Sequence, residues 1–241
     1  MSGPSQATGH RSTKDVIREA LRPVGRQILD IGSGAGALVA WLRREGALAI
    51  GIEPNAPLLQ AAFARSSAGR GASPNDRWIA ARAEELPLAD GSVDAALFFN
   101  SLHHVDPAAQ GAALAEAARV LRPGGDLLVI EPLASGSYFE LLRPLDDETA
   151  VRAAALAAID AIPDGLLVAT LRLQYMTFLD YADVAATVAA FTRADPARAA
   201  AVEQALPAIA ERFARLGRPG ADGSRRFEQP MLAVSLRRLC A

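Results

Sequence analysis

A single cysteine, Cys240, occurs in the 241 residues, so no internal disulfide holds this fold and its stability has to come from a buried core. That usage fits a reducing compartment, and a cytoplasmic location is the expectation. No apolar run approaches the roughly 18 residues of a membrane helix, and the opening stretch MSGPSQATGHRSTKD lacks the apolar segment of a secretory signal. No membrane partner is therefore expected. Positive charge is not in excess either: 25 Lys and Arg stand against 27 Asp and Glu, for a net charge of −2. The basic face of a nucleic-acid binder is missing, and no nucleic-acid partner is expected. Only three histidines are present, with no carboxylate at helical ligand spacing beside them, which argues against a metal site. Oligomeric state stays open.

What is present is apolar residue content of 51%, enough for one sizeable α/β core. Residues 1–11 are small and polar and read as disordered. Ser12 and Asp15 resemble a capping box opening a helix that carries Val16, Ile17 and Leu21. Short apolar runs then alternate with helical periodicity. Strands are expected at Gln27–Ile31, Leu48–Ile52, Trp78–Ala81, Val93–Phe99 and Leu127–Ile130. Helices are expected at about 38–46, at 56–67, and from Asp106-Pro107 to Leu121. Strands apolar along their whole length imply a parallel sheet covered on both faces.

After residue 132 the rhythm stops. An alanine-rich helix follows Asp146-Asp147, and Leu171 to Tyr175 alternates like a half-exposed strand. Asp195-Pro196 opens a helix with Val202, Leu206, Ile209, Phe213 and Leu216 on one face, and Met231–Leu236 forms a last strand. Residues 134–167 read as a cap-like insertion within a single domain spanning 1–241.

The first strand runs into Asp30-Ile31-Gly32-Ser33-Gly34-Ala35-Gly36, a turn that lets backbone approach a ligand closely. Gly32-x-Gly34-x-x-Ala37 with Glu53 downstream also fits a dinucleotide fingerprint. Asp30 weighs against that reading, because a carboxylate is unwelcome beside a pyrophosphate and welcome beside a sulfonium cofactor with an ammonium group.

Four segments in order resemble the class I S-adenosylmethionine-dependent methyltransferases, specifically their type 11 small-molecule group: LDIGSGAG from Leu29, GIEPN from Gly51, AEELPLADGSVDAALFFNSLHHV from Ala83 and VLRPGGDLLVIEP from Val120. The resemblance covers residues 15–132. It implies a Rossmann-like seven-stranded, mostly parallel sheet with helices on both faces, a final antiparallel strand, and a helical cap after the fifth strand. It also implies S-adenosyl-L-methionine as cofactor and a small-molecule acceptor. Gly32, Ser33, Gly34 and Gly36 would floor the cofactor site, with Asp30 steering the ammonium group. Glu53 would hold the ribose and Pro54 would lie near the adenine, with Ala83 and Glu84 in the adenine loop and Asn100 beside the methyl. Arg82 stands where many relatives carry Asp, a departure that puts the usual adenine contact on Glu84 or on the backbone. His103 and His104 are candidate general bases, and Tyr138 and Arg143 candidate acceptor contacts on the cap. The alternative is a catalytically silent, cofactor-binding subunit.

Overall fold

A computed structural model describes residues 5–68, 77–163, 165–194 and 199–239. Nine strands form one sheet in the order β1-β7-β9-β6-β5-β2-β3-β4, with the two-residue β8 (Arg218–Pro219) pairing beside β9. The strands β2 (Gln27–Ile31), β3 (Leu48–Ile52), β4 (Arg77–Ile79), β5 (Val93–Phe99) and β6 (Leu121–Pro132) run parallel. The long β9 (Arg225–Arg238) is antiparallel to both β6 and β7 (Leu167–Tyr181). Seven of these strands are the expected ones.

β1 (Ser5–His10) corrects the expectation of disorder over residues 1–11: it pairs in parallel with the outer edge of β7. Its polar sequence has no alternation to read. An otherwise open row of β7 backbone groups provides its partner. β8 is too short to leave a sequence pattern.

The period-2 alternation sorts each central strand onto two cores. Leu29, Ile31, Ala96, Phe98, Leu127 and Val129 belong to one cluster, with Ala113, Leu114 and Ala117 of α4 (Gln110–Val120) and Ala155 and Ile159 of α6 (Thr149–Asp160). Ile28, Ala95, Leu97, Leu128 and Ile130 face the other, against Val16, Ile17 and Leu21 of α1 (Thr13–Leu21), Trp41 of α2 (Ala37–Arg44) and Ala62 of α3 (Ala56–Ala68). A sheet covered on both faces needs apolar residues at every strand position, which is why these runs are continuous.

The region after β6 departs from the expected 134–167 cap. Only α5 (Ser137–Leu142) joins the cap core, which it shares with α7 (Val184–Ala194), α8 (Ala199–Leu216) and Phe227. α6 instead covers the sheet beside α4, because Ala155 and Ile159 face the larger core. Two helix starts also differ. Ser12 makes no side-chain cap bond: the Asp15 amide donates to the Ser12 carbonyl at 3.0 Å, and the Asp15 carboxylate pairs with Arg18. Asp106 caps a turn through the Ala108 amide at 2.9 Å, so α4 begins at Gln110 and not at Pro107. Asp195 and Pro196 lie outside the described residues.

Candidate functional site: two cavities that meet on the strand-end rim

Parallel strands deliver their carboxyl ends to one rim, where α/β sheets place ligands. β2 and β5 end side by side there. The Gly32 and Ser33 amides both donate to the Ile52 carbonyl at 2.9 Å, and Ser101 Oγ donates to the Ile31 carbonyl at 2.6 Å. A Cβ on Gly32 would stand 2.5 Å from the Ser101 Cβ, so glycine is what lets the two strand ends approach. Glu53, 6% exposed at the end of β3, is held by two backbone donors: the Gly34 amide on Oε2 and the Asn55 amide on Oε1, each at 2.8 Å.

A cavity of about 520 Å³ opens over this turn. Gly32, Gly34, Glu53, Pro54, Ala83, Glu84 and Asn100 line it, all of them positions singled out in the sequence. Asp30, Ser33 and Gly36 do not line it. Gly36 is required elsewhere: its Cβ would meet the Trp78 ring at 2.2 Å, so it makes room for the core. Arg82 also lines the cavity, with Nε on Glu84 Oε1 at 2.5 Å.

Asp30 lies beneath the floor, 2% exposed, with Oδ2 lacking a hydrogen-bond partner. Burial, and then the charge of Glu53, push its carboxyl up to about 7. A buried carboxylate in this state calls for a cation nearby. At Gly34 a Cβ would meet nothing within 4 Å, so the turn leaves free space toward the cavity. An orphaned acidic oxygen below and an open glycine cradle above suit a ligand with an ammonium group and ribose hydroxyls.

A second cavity, of about 660 Å³, adjoins it, and Asn100 and His104 line both. Asn100 holds φ at +52°, a left-handed conformation uncommon outside glycine and tolerated by Asn. It is fixed there by its amide donating to the Ile130 carbonyl at 2.9 Å. The second cavity has Phe99, Phe139, Leu142, Phe178 and Met231 on its walls, with Lys14 of α1 and Thr177 of β7 among its polar groups.

His103 and Tyr138 line this cavity, whereas Arg143 does not. Arg143 is exposed, paired with Asp147 at 3.1 Å and Glu140 at 3.4 Å. That pairing corrects its expected place at the acceptor. Tyr138 stacks on Tyr181, and burial raises its hydroxyl far above the usual range, keeping it neutral.

Glu131, at the carboxyl end of β6, surrounds the histidine pair together with Glu148 and Arg152, the latter two not singled out in the sequence. Glu131, 1% exposed, accepts from the Leu102 amide at 2.9 Å and bonds His103 Nδ1. Glu148 Oε2 lies 3.9 Å from His103 Nε2 and takes a 2.6 Å bond from Arg152 Nη2. Burial works to raise the Glu148 carboxyl, but Arg152 and His103 outweigh it and hold it below the usual range. His103, His104 and Glu148 bring three ligand-type atoms within 4.8 Å of one another. The expectation against such a grouping rested on spacing along one helix, and the carboxylate comes from elsewhere, at the N-cap of α6. Arg152 sets a fixed positive charge on the oxygen a cation would need, so no metal is assigned there.

Residues 29–129 match the family described as Methyltransferase domain. An uncharacterised methyltransferase of Mycobacterium tuberculosis is 39% identical over 113 residues, covering 47% of this chain and 42% of that one. Over residues 29–129 the chain is similar to the methyltransferase domain of these proteins. A demethylmenaquinone methyltransferase of Beutenbergia cavernae is 34% identical over 121 residues, 50% of this chain and 45% of that one. In both cases the match spans less than half the length of the curated relative. The YcgJ protein of Bacillus subtilis has the same fold, with a TM-score of 0.60 at 19% identity, covering 95% of this chain and 98% of that one. Among the described residues no helix is long and apolar enough to cross a membrane.

Proposed function

We propose that this protein transfers a methyl group from S-adenosylmethionine to a small-molecule acceptor by in-line displacement. The observation that carries the reading is the pair of cavities meeting at Asn100 and His104. One has the glycine turn and Glu53 that suit the cofactor, and the other sets an apolar wall of Phe99, Phe139, Leu142, Phe178 and Met231 against polar and charged side chains, a lining that suits a small molecule. The cofactor supplies an electrophilic methyl on a sulfonium that leaves as a neutral thioether. The protein's task is then alignment and exclusion of water.

Gly32 and Gly34 floor the cofactor cavity, Asp30 supplies negative potential from below, and Glu53 faces the ribose hydroxyls. Pro54, Ala83 and Glu84 border the adenine. Asn100 stands between the two cavities, where attacking atom and methyl meet. Tyr138 and Phe139 wall the acceptor side with the α1 residues Thr13 and Lys14.

A thermal-shift series with S-adenosylmethionine, S-adenosylhomocysteine and NAD tests the cofactor, since a ligand bound only by the native state raises Tm. Stabilisation by the first two and not by NAD is expected, and the reverse would overturn the reading. Binding without turnover across a broad acceptor panel would mark a silent, cofactor-binding subunit.

A further inference from the structure

We infer that His103 and Glu131 form a proton-accepting dyad, and that the methyl acceptor is an acidic hydroxyl of the phenol or enol type. The inference rests on the methyl-transfer reading above and names the nucleophile it left open.

Glu131 Oε1 is fixed by the Leu102 amide, and Oε2 is bonded to His103 Nδ1. A carboxylate is only an acceptor, so the proton in that bond belongs to Nδ1. The neutral ring therefore keeps its lone pair on Nε2, the nitrogen nearer Glu148. His103 lines the acceptor cavity, next to His104 and Asn100 at its junction with the cofactor cavity. This is the arrangement of an oriented general base: one buried acid sets the tautomer and the other nitrogen receives the proton.

Glu148 completes it. At 3.9 Å its oxygen is too far to bond Nε2, yet near enough to stabilise a proton arriving there. The charged groups facing the ring are thus Glu131 from β6, Glu148 at the N-cap of α6 and Arg152 within α6, with the His104 ring tilted against it at 4.0 Å between centroids. The resulting imidazolium lies between two carboxylates, while Arg152 holds Glu148 in place at 2.6 Å.

A base of this kind selects the nucleophile. A thioether or tertiary amine attacks with an existing lone pair and has no proton to lose. An aliphatic hydroxyl is far too weakly acid for imidazole, whereas a phenol or enol, near the tyrosine value of about 10, is within its reach. Phe99, Phe139 and Phe178 on the cavity wall suit a flat unsaturated ring. In the step, the hydroxyl proton passes to Nε2 and an oxygen lone pair forms the new O–C bond. The C–S bond breaks with its electron pair staying on sulfur, giving a methyl ether, a neutral thioether and an imidazolium. Glu131 is a positioning residue here, and His103 is the catalytic one.

Two measurements test this. In the 15N-histidine-labelled full chain with S-adenosylhomocysteine, NMR should show neutral His103 protonated on Nδ1, with that preference weakened in Glu131→Gln. Finding the proton on Nε2 would overturn the dyad. Turnover is then read on 2-naphthol, 2-naphthylmethanol and 2-(methylthio)naphthalene. Methylation of the naphthol is expected, with His103→Gln lowering kcat by about 10²–10⁴ and KM for S-adenosylmethionine unchanged. A naphthol rate indifferent to His103→Gln, a preference for the thioether, or no turnover of any of the three by cofactor-bound protein would each refute the phenol-type acceptor. Failure to bind S-adenosylhomocysteine at all would instead sink the methyltransferase reading, leaving the tautomer measurement valid.

Discussion

Asp30→Asn is the substitution on which the electrostatics of the cofactor floor can be judged. Burial and Glu53 hold this carboxyl at about 7 against an ordinary 3.8. At 1.36 kcal/mol per pH unit, that gap of about three units amounts to at most about 4 kcal/mol. A ligand ammonium restores the ionised form, so binding below pH 7 must expel the proton that Asp30 carries without ligand. The dissociation constant of S-adenosylhomocysteine should then rise by about tenfold per pH unit as pH falls below 7, and level off above it. Calorimetry in two buffers of different ionisation enthalpy should show release of about 0.5 proton at pH 7 and about 0.9 at pH 6. In Asp30→Asn both the pH slope and the proton release should vanish, with affinity near pH 7.5 weakened about tenfold or more. Stability should move the opposite way. A carboxyl whose folded value is raised makes the native state bind more protons than the unfolded chain between pH 3.8 and about 7. Native stability is therefore lost as pH rises through that window. Asp30→Asn removes the penalty and should raise the Tm of the unliganded protein at pH 8 while weakening cofactor binding. A dissociation constant flat from pH 5.5 to 7.5, with no proton released, would refute the argument.

The glycines of the same turn should separate by mechanism. Gly34→Ala, at φ +53° with nothing within 4 Å of its Cβ, should fold at a cost of roughly 1–2 kcal/mol and lose cofactor affinity. Gly36→Ala, whose Cβ would stand 2.2 Å from the Trp78 ring, should lower Tm more than Gly34→Ala does. Calorimetric binding beside thermal melts decides both, and normal affinity in Gly34→Ala would remove that glycine from the floor. On the acceptor side, Tyr138→Ala should raise KM for the acceptor and leave that for S-adenosylmethionine unchanged. Arg143→Ala should change neither, because its side chain is exposed, paired with Asp147 and Glu140, and outside the cavity. An acceptor KM that moved with Arg143 and not with Tyr138 would reverse that assignment.

Local signals carried far in the first half of the chain. β2, β3 and β5 begin and end where their apolar runs do, because a strand buried on both faces has no choice of residue type along its length. The cofactor turn was legible for a similar reason: a close backbone approach admits little but glycine, and Gly32 and Gly34 both line the cavity. Neighbouring glycines look alike in sequence, however, and only the position of Trp78 shows that Gly36 serves packing. At Leu121–Pro132 the register shift between Val93 and Ala95 lets β6 begin six residues before its apolar run, which no periodicity records.

The amino-acid sequence by itself determined the α/β alternation, the glycine turn and its two acids, because each depends on neighbours close along the chain. Only the tertiary structure decided what faces the histidine pair. Glu131 reaches His103 across 28 positions and Glu148 comes from the start of a helix that the sequence assigned to a cap. Such a constellation arises where strand ends converge with a returning helix, and its members share no spacing that could be read in advance. β1 was likewise decided in three dimensions, since its pairing depends on an edge of β7 that lies more than 150 residues away.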